Sequence, residues 1–291
     1  MFCMMPAYAF NQWVVMEKIG AKDTGGTILI HCFGAMFGFG VSWMLGHKKE
    51  EDGGGMKRRN FDEEANHNTN LMALLGTLFL WCYYPSFNGW APETEPQHLS
   101  TQASLDLVAW DADGAKFRAT FNTYLGLIGA AVTAILISDS SKAIKANTMI
   151  HMQTGVLAGG VTMGCLCDMY LEPWGALVLG CVGGAVACLG IQFITPALEK
   201  IGVHDTCDCM ALHGICAFFS VFASCIAFAT PANAHYLSVY SASAGTQAGK
   251  QIAGIFACSA IGIGLALPTG LIMAMFKVDD HWYDQEAHLI N

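Results

Sequence analysis

Asp23-Thr24-Gly25-Gly26-Thr27-Ile28-Leu29-Ile30-His31 and Asp205-Thr206-Cys207-Asp208-Cys209-Met210-Ala211-Leu212-His213 read as two copies of one element. In each, Asp-Thr leads into an apolar helix and a histidine follows eight residues after the aspartate, in a stretch with almost no other charge. Eight residues at the helical rise amount to about 12 Å, and a hydrocarbon core is about 30 Å thick, so each histidine is expected near the bilayer midplane. If the two helices run in opposite directions, the rings meet there.

The remainder of the chain supports a membrane setting. Of its 291 residues, 54% are hydrophobic and 13% charged, with mean hydropathy +0.42, which is far from a soluble domain's quarter of charged residues. Apolar spans are predicted at 1–19, 27–46, 69–91, 117–138, 147–168, 174–195, 210–230 and 250–276, eight in all. This is an all-α polytopic membrane protein, with a transmembrane domain over residues 1–276 and a cytoplasmic tail over 277–291. No basic leading region marks Met1 to Phe10 as a cleavable signal peptide.

Between the second and third spans, Lys48, Lys49, Lys57, Arg58 and Arg59 form a basic loop, which the positive-inside rule places in the cytoplasm. Alternation from that loop puts the acidic 92–116 loop and Glu172-Pro173 outside, and Lys142, Lys145, Glu199 and Lys200 inside. The His31 helix then enters from outside and the His213 helix from inside. Similar elements of opposite polarity are the mark of an inverted repeat, whose site lies between its halves. Small residues such as Gly155, Gly159, Gly160, Gly180, Gly183 and Gly184 allow close helix packing in lipid.

An intramembrane ionisable residue is a functional candidate, and two at matching positions weigh against an incidental core histidine. Asp23 and Asp205 have a plainer reading as helix N-caps. Trp81, Tyr83, Tyr84 and Trp90 fit an interfacial belt, and His151 fits a snorkelling or capping role. The spacing of Cys207 and Cys209 is not that of a zinc site. Most of the 12 cysteines, including Cys181, Cys188, Cys216, Cys225 and Cys258, serve as small apolar filler. No metal or cofactor is expected. The net charge of −9 with scattered basic residues argues against nucleic acid, and no phosphate-binding loop, nucleophile elbow or acid pair argues for an enzyme.

The chain resembles the ammonium transporter/Rhesus (Amt/Rh) family, and its Rh branch more than its bacterial Amt branch. The resemblance rests on Lys22-Asp23-Thr24-Gly25-Gly26, Ile30-His31-Cys32-Phe33-Gly34-Ala35, Gly76-Thr77-Leu78-Phe79-Leu80-Trp81 and Pro85-Ser86-Phe87-Asn88. It continues through Phe121-Asn122-Thr123-Tyr124, Thr195-Pro196-Ala197-Leu198-Glu199 and His204-Asp205-Thr206-Cys207 into Leu212-His213-Gly214-Ile215.

The resemblance implies an ammonia or ammonium channel of the plasma membrane. It also implies a homotrimer, or a heterotrimer with related subunits, in which each subunit has its own pore in contact with membrane lipid. Within that pattern His31 and His213 are the twin pore histidines, which share a hydrogen bond, and Phe87 is the inner gate ring. Asp23 is a structural support of the outer vestibule. The eight spans correspond to the family's fourth to eleventh, and the first three, with the extra leading helix common in Rh proteins, are expected to be missing through an incomplete gene model or a fragment. Two alternatives stay open, a non-conducting membrane scaffold subunit and a pore permeable to carbon dioxide.

Overall fold

The computed structural model describes residues 3–45, 67–90, 102–140, 148–203, 205, 207–233, 237 and 243–276. The basic loop at 48–59, residues 92–101 of the acidic loop, Lys142, Lys145 and the tail over 277–291 lie outside the described residues, and the remainder of the acidic loop is the start of a helix.

Among the described residues the chain is helical, without strands. Helix α1 runs over Met4–Gln12 and widens into a π-helical stretch at Trp13–Ile19. Helix α2 (Thr27–Leu45) begins as a π turn over Thr27–Cys32. Next come α3 (His67–Asn88), α4 (Gln102–Ser140), α5 (Thr148–Met163) and α6 (Pro173–Lys200). Helix α7 (Met210–Phe228) also opens on a π turn, Met210–Ile215, and α8 spans Ala244–Met275.

Among the described residues five segments are long and apolar enough to cross a membrane: α2, Gly114–Ser138 within α4, α6, α7 and α8. Three of the eight expected spans fall short of that measure. Helix α5 has 16 residues and gives way to turns at Gly164, where a helix to 168 was expected. Helix α3 begins with the polar run His67-Asn68-Thr69-Asn70, and α1 with its π stretch ends at Ile19, short of the length a span needs.

The sequence copies extend further back than the aspartates. Ile19-Gly20 precedes Asp23 at the spacing at which Ile201-Gly202 precedes Asp205. Both glycines are left-handed, with φ 74° and 83°, as a helix-terminating residue must be to end one helix and start the next. Each copy is therefore helix, left-handed glycine, aspartate, π turn, histidine, helix.

Hydrogen bonds fix the relative direction of α2 and α7. At the start of α2, Asp23 Oδ1 accepts the Cys165 thiol at 3.4 Å, and the Cys165 N–H reaches Ser220 Oγ, well along α7, at 3.3 Å. Ser42, near the far end of α2, instead shares a cavity with Asp205 and Met210 at the start of α7. The two helices are antiparallel, as an inverted repeat requires.

Glycines set the closeness of the packing. Gly126 of α4 has its backbone directly against Gly159 of α5 and Gly180 of α6, where any Cβ would collide with the Gly126 carbonyl. Such small-residue contact holds helices together where lipid supplies no hydrophobic pull. A separate apolar cluster joins Phe33 and Phe37 of α2 to Ile255, Cys258 and Ala266 of α8.

Candidate functional site: a paired-histidine lumen

Each histidine is placed by its own aspartate. Asp23 Oδ2 accepts the N–H groups of Ile28 at 2.8 Å and Leu29 at 2.7 Å. Asp205 accepts those of Cys209 and Met210, both at 2.8 Å, through its two oxygens. These are the orphan donors of a helix start, and a carboxylate there also suits the helix dipole. Asp23 is buried, and that burial pushes its carboxyl up to about 6 against the hydrogen bonds that favour the anion. Asp208 sits inside the second cap with φ 52°. Its Oδ1 accepts Thr195 Oγ1 at 2.7 Å, and burial moves its carboxyl upward too.

A π turn takes more residues per turn than an α-helix and re-aims the side chains that follow; such turns recur at functional sites. Here His31 closes a π bond from its N–H to the Gly26 carbonyl at 3.1 Å. The imidazoles of His31 and His213 lie parallel, 3° between planes, with centroids 5.0 Å apart. His213 Nδ1 is buried without a hydrogen-bond partner, so the expected bond between the rings is not made through that atom.

Two rings of α3 close over the pair. Phe87 meets His31 edge-on, centroids 6.1 Å apart and planes at 61°. Tyr84 lies between them in sequence register, 5.9 Å from Phe87, with its hydroxyl 3.0 Å from His31 Nε2. Tyr84 fits an interfacial belt by its place in the sequence, yet it is buried against Gly160 of α5, so it is part of the site. No feature of its sequence setting separated it from Tyr83, which is exposed.

On the side away from Phe87, the rings line a cavity of about 530 Å³. One face of α2 supplies Ile30, Gly34, Ala35, Gly38, Phe39 and Ser42; Asp205, Cys207, Cys209 and Met210 supply the opposite mouth. Asp23 is absent from this lining, so the two aspartates share a capping role and differ in exposure to the lumen. Burial pushes the Cys209 thiol up to about 11, which keeps it protonated. Among the described residues no cluster of three or more His, Cys, Asp or Glu side chains has the arrangement to hold a metal ion. His151 is buried with Nδ1 unpartnered, where a snorkelling position was expected.

A family model described as the Ammonium Transporter Family matches residues 1–280. The chain belongs to this family. Ammonium transporter Rh type A of Canis lupus familiaris is 37% identical over 210 residues, covering 72% of this chain and 45% of that protein. Ammonium transporter Rh type C of Xenopus laevis is 35% identical over 209 residues, covering 72% of this chain and 39% of its own length. The Rh50 channel structure of Nitrosomonas europaea superposes with a TM-score of 0.74 and 26% identity, over 100% of this chain and 66% of that one.

These matches put this Rh protein on the Rh branch of the ammonium transporter family, as a multi-pass integral membrane protein. The chain spans less than half the length of those two curated relatives. A sensor Amt protein, at TM-score 0.70 and 21% identity, shares the fold.

Proposed function

We propose that this Rh protein passes ammonia between His31 and His213 and excludes the ammonium ion. The observation that carries the reading is the parallel histidine pair, with an unpartnered His213 Nδ1, in a cavity whose walls beside the pair are mostly apolar and whose one carboxylate, Asp205, caps the start of α7. An unsatisfied buried nitrogen is costly, and a small polar solute able to donate and accept relieves it. A cation without a counter-charge in the same place is disfavoured by its desolvation. Ammonium would give up its proton to water on the near side of the Phe87 ring, whose π face attracts cations, and cross as the neutral base, leaving the proton on the side of entry.

The membership supports a trimer in the plasma membrane with ammonia or ammonium as substrate. Exposure of Ile30 and Phe87 on one flank of the lumen favours a second reading, in which the chain is a non-conducting subunit that lends this half-lumen to an assembly.

Uptake of labelled methylammonium in cells lacking their own ammonium transporters tests the first reading. The expected result is saturable uptake that H31A and H213A each abolish while surface abundance is kept. Uptake equal to that of untransformed cells, from well-expressed wild-type chain, overturns it and leaves the scaffold reading.

A further inference from the structure

Tyr84 has a tightly made seat. A Cβ built on Gly160 would stand 2.5 Å from its Cε1 and 2.6 Å from its Cδ1, so only glycine leaves room for the ring. Leu127, Ala158, Val161 and Leu212 pack the same cluster. Within that apolar wall the phenol oxygen has one hydrogen-bond partner among the described residues, His31 Nε2 at 3.0 Å.

A phenol carries one proton, and an imidazole nitrogen either donates or accepts. If Nε2 held the His31 proton, it would donate to Tyr84 and strand the phenol proton without an acceptor in a buried place. Buried hydroxyls avoid that arrangement. With the phenol as donor both atoms are satisfied, and the His31 proton sits on Nδ1. The tautomer of a histidine is set by the bond its other nitrogen makes.

We propose that Tyr84 is the specificity-determining positioning residue of the lumen: by donating to His31 Nε2 it locks His31 as the Nδ1–H tautomer, a group that offers a passing solute a donor and no acceptor. This rests on the conduction reading above. Neutral ammonia has a lone pair and can accept from that N–H. Ammonium has four donors and no lone pair, so it finds nothing on His31 to bind. The other titratable groups around the pair are His213 and Cys216 of α7, the Cys216 thiol being turned to the Gly183 and Ala211 carbonyls, and, at the cavity mouth, Asp205, Cys207 and Cys209. Tyr8 of α1 packs on Phe33, and Cys258 of α8 donates to the Ile28 carbonyl, so these reach neighbouring residues of α2.

The test uses histidine-labelled protein in lipid bilayers, with nitrogen NMR to read the tautomer of His31, and proteoliposomes to read ammonium-driven current against ammonia-driven pH change. The expected wild-type spectrum shows the His31 proton on Nδ1 alone. In Y84F, which keeps the ring and its packing, both tautomers appear and the current rises relative to ammonia flux by about fivefold, the ratio that one hydrogen bond of ordinary net strength represents. A wild-type proton on Nε2 overturns the proposal whatever the variant does. So does a Y84F protein with unchanged tautomer and unchanged current ratio. A wild-type protein with the proton on Nδ1 and no ammonia flux overturns the conduction reading instead, and leaves the tautomer assignment standing.

Discussion

Gly26 and Asp208 stand at the same place in the two copies, three residues after the capping aspartate, and both are left-handed, at φ 70° and φ 52°. Each N–H bonds back to the carbonyl of its aspartate, at 3.2 Å and 3.4 Å. Glycine tolerates this conformation freely, whereas an aspartate tolerates it better than most residues because its short side chain can bond locally. Here that side chain also takes the Thr195 hydroxyl.

Asp208→Asn keeps both the left-handed tolerance and the Oδ1 acceptor, and the expected stability change is within about 0.5 kcal/mol. Asp208→Ala loses the acceptor and places a Cβ residue without local bonding at positive φ, an expected cost of about 1–2 kcal/mol. Thermal unfolding in detergent of the two variants side by side checks the difference. Equal apparent Tm values would show that the Thr195 bond contributes nothing.

Asp23 gives a pH signature. Its carboxyl titrates near 6 in the folded chain against an ordinary value of 3.8, so between those values the folded state binds the extra proton. Folding stability from this group is therefore fully present below 3.8 and falls as pH rises through about 6. Asp23→Asn removes the titration, and its apparent Tm is expected to lose that part of the pH dependence. A wild-type profile that rises across the same interval contradicts the sign.

Gly160→Ala is expected to act at a distance from any solute. Its Cβ would stand inside contact distance of Tyr84 Cε1, and overpacking of this kind costs about 1–3 kcal/mol. The displaced phenol would release His31 Nε2, so the variant should reproduce the histidine spectrum of Y84F. A spectrum like the wild type's, in a folded variant, would mean that the ring can shift without losing its bond.

Phe87→Ala removes the edge-on contacts to His31 and Tyr84. Because Phe87 is exposed, little stability depends on it. The expected effect is on selection: methylammonium flux rises relative to ammonia flux in proteoliposomes, since the ring no longer narrows the approach. An unchanged ratio would remove Phe87 from the permeation path.

The sequence alone determined the membrane setting, the pairing of Asp23 with His31 and of Asp205 with His213, and the expectation that these pairs meet head to tail. Those properties are local: apolar runs, cap residues and a spacing of eight survive in one dimension. It overestimated the extent of α5 because nothing in Gly164-Cys165-Leu166-Cys167 signals a stop; there, tertiary bonds take over, including Gly25 N–H to the Gly164 carbonyl at 2.8 Å. The role of Tyr84 was illegible for a related reason. An aromatic near a helix end has the same pattern whether it faces lipid headgroups or a lumen, and only the bare Gly160 of a helix far along the chain turns it inward to His31. Which face of an apolar helix is buried, in a molecule where all faces are apolar, is decided by what packs against it.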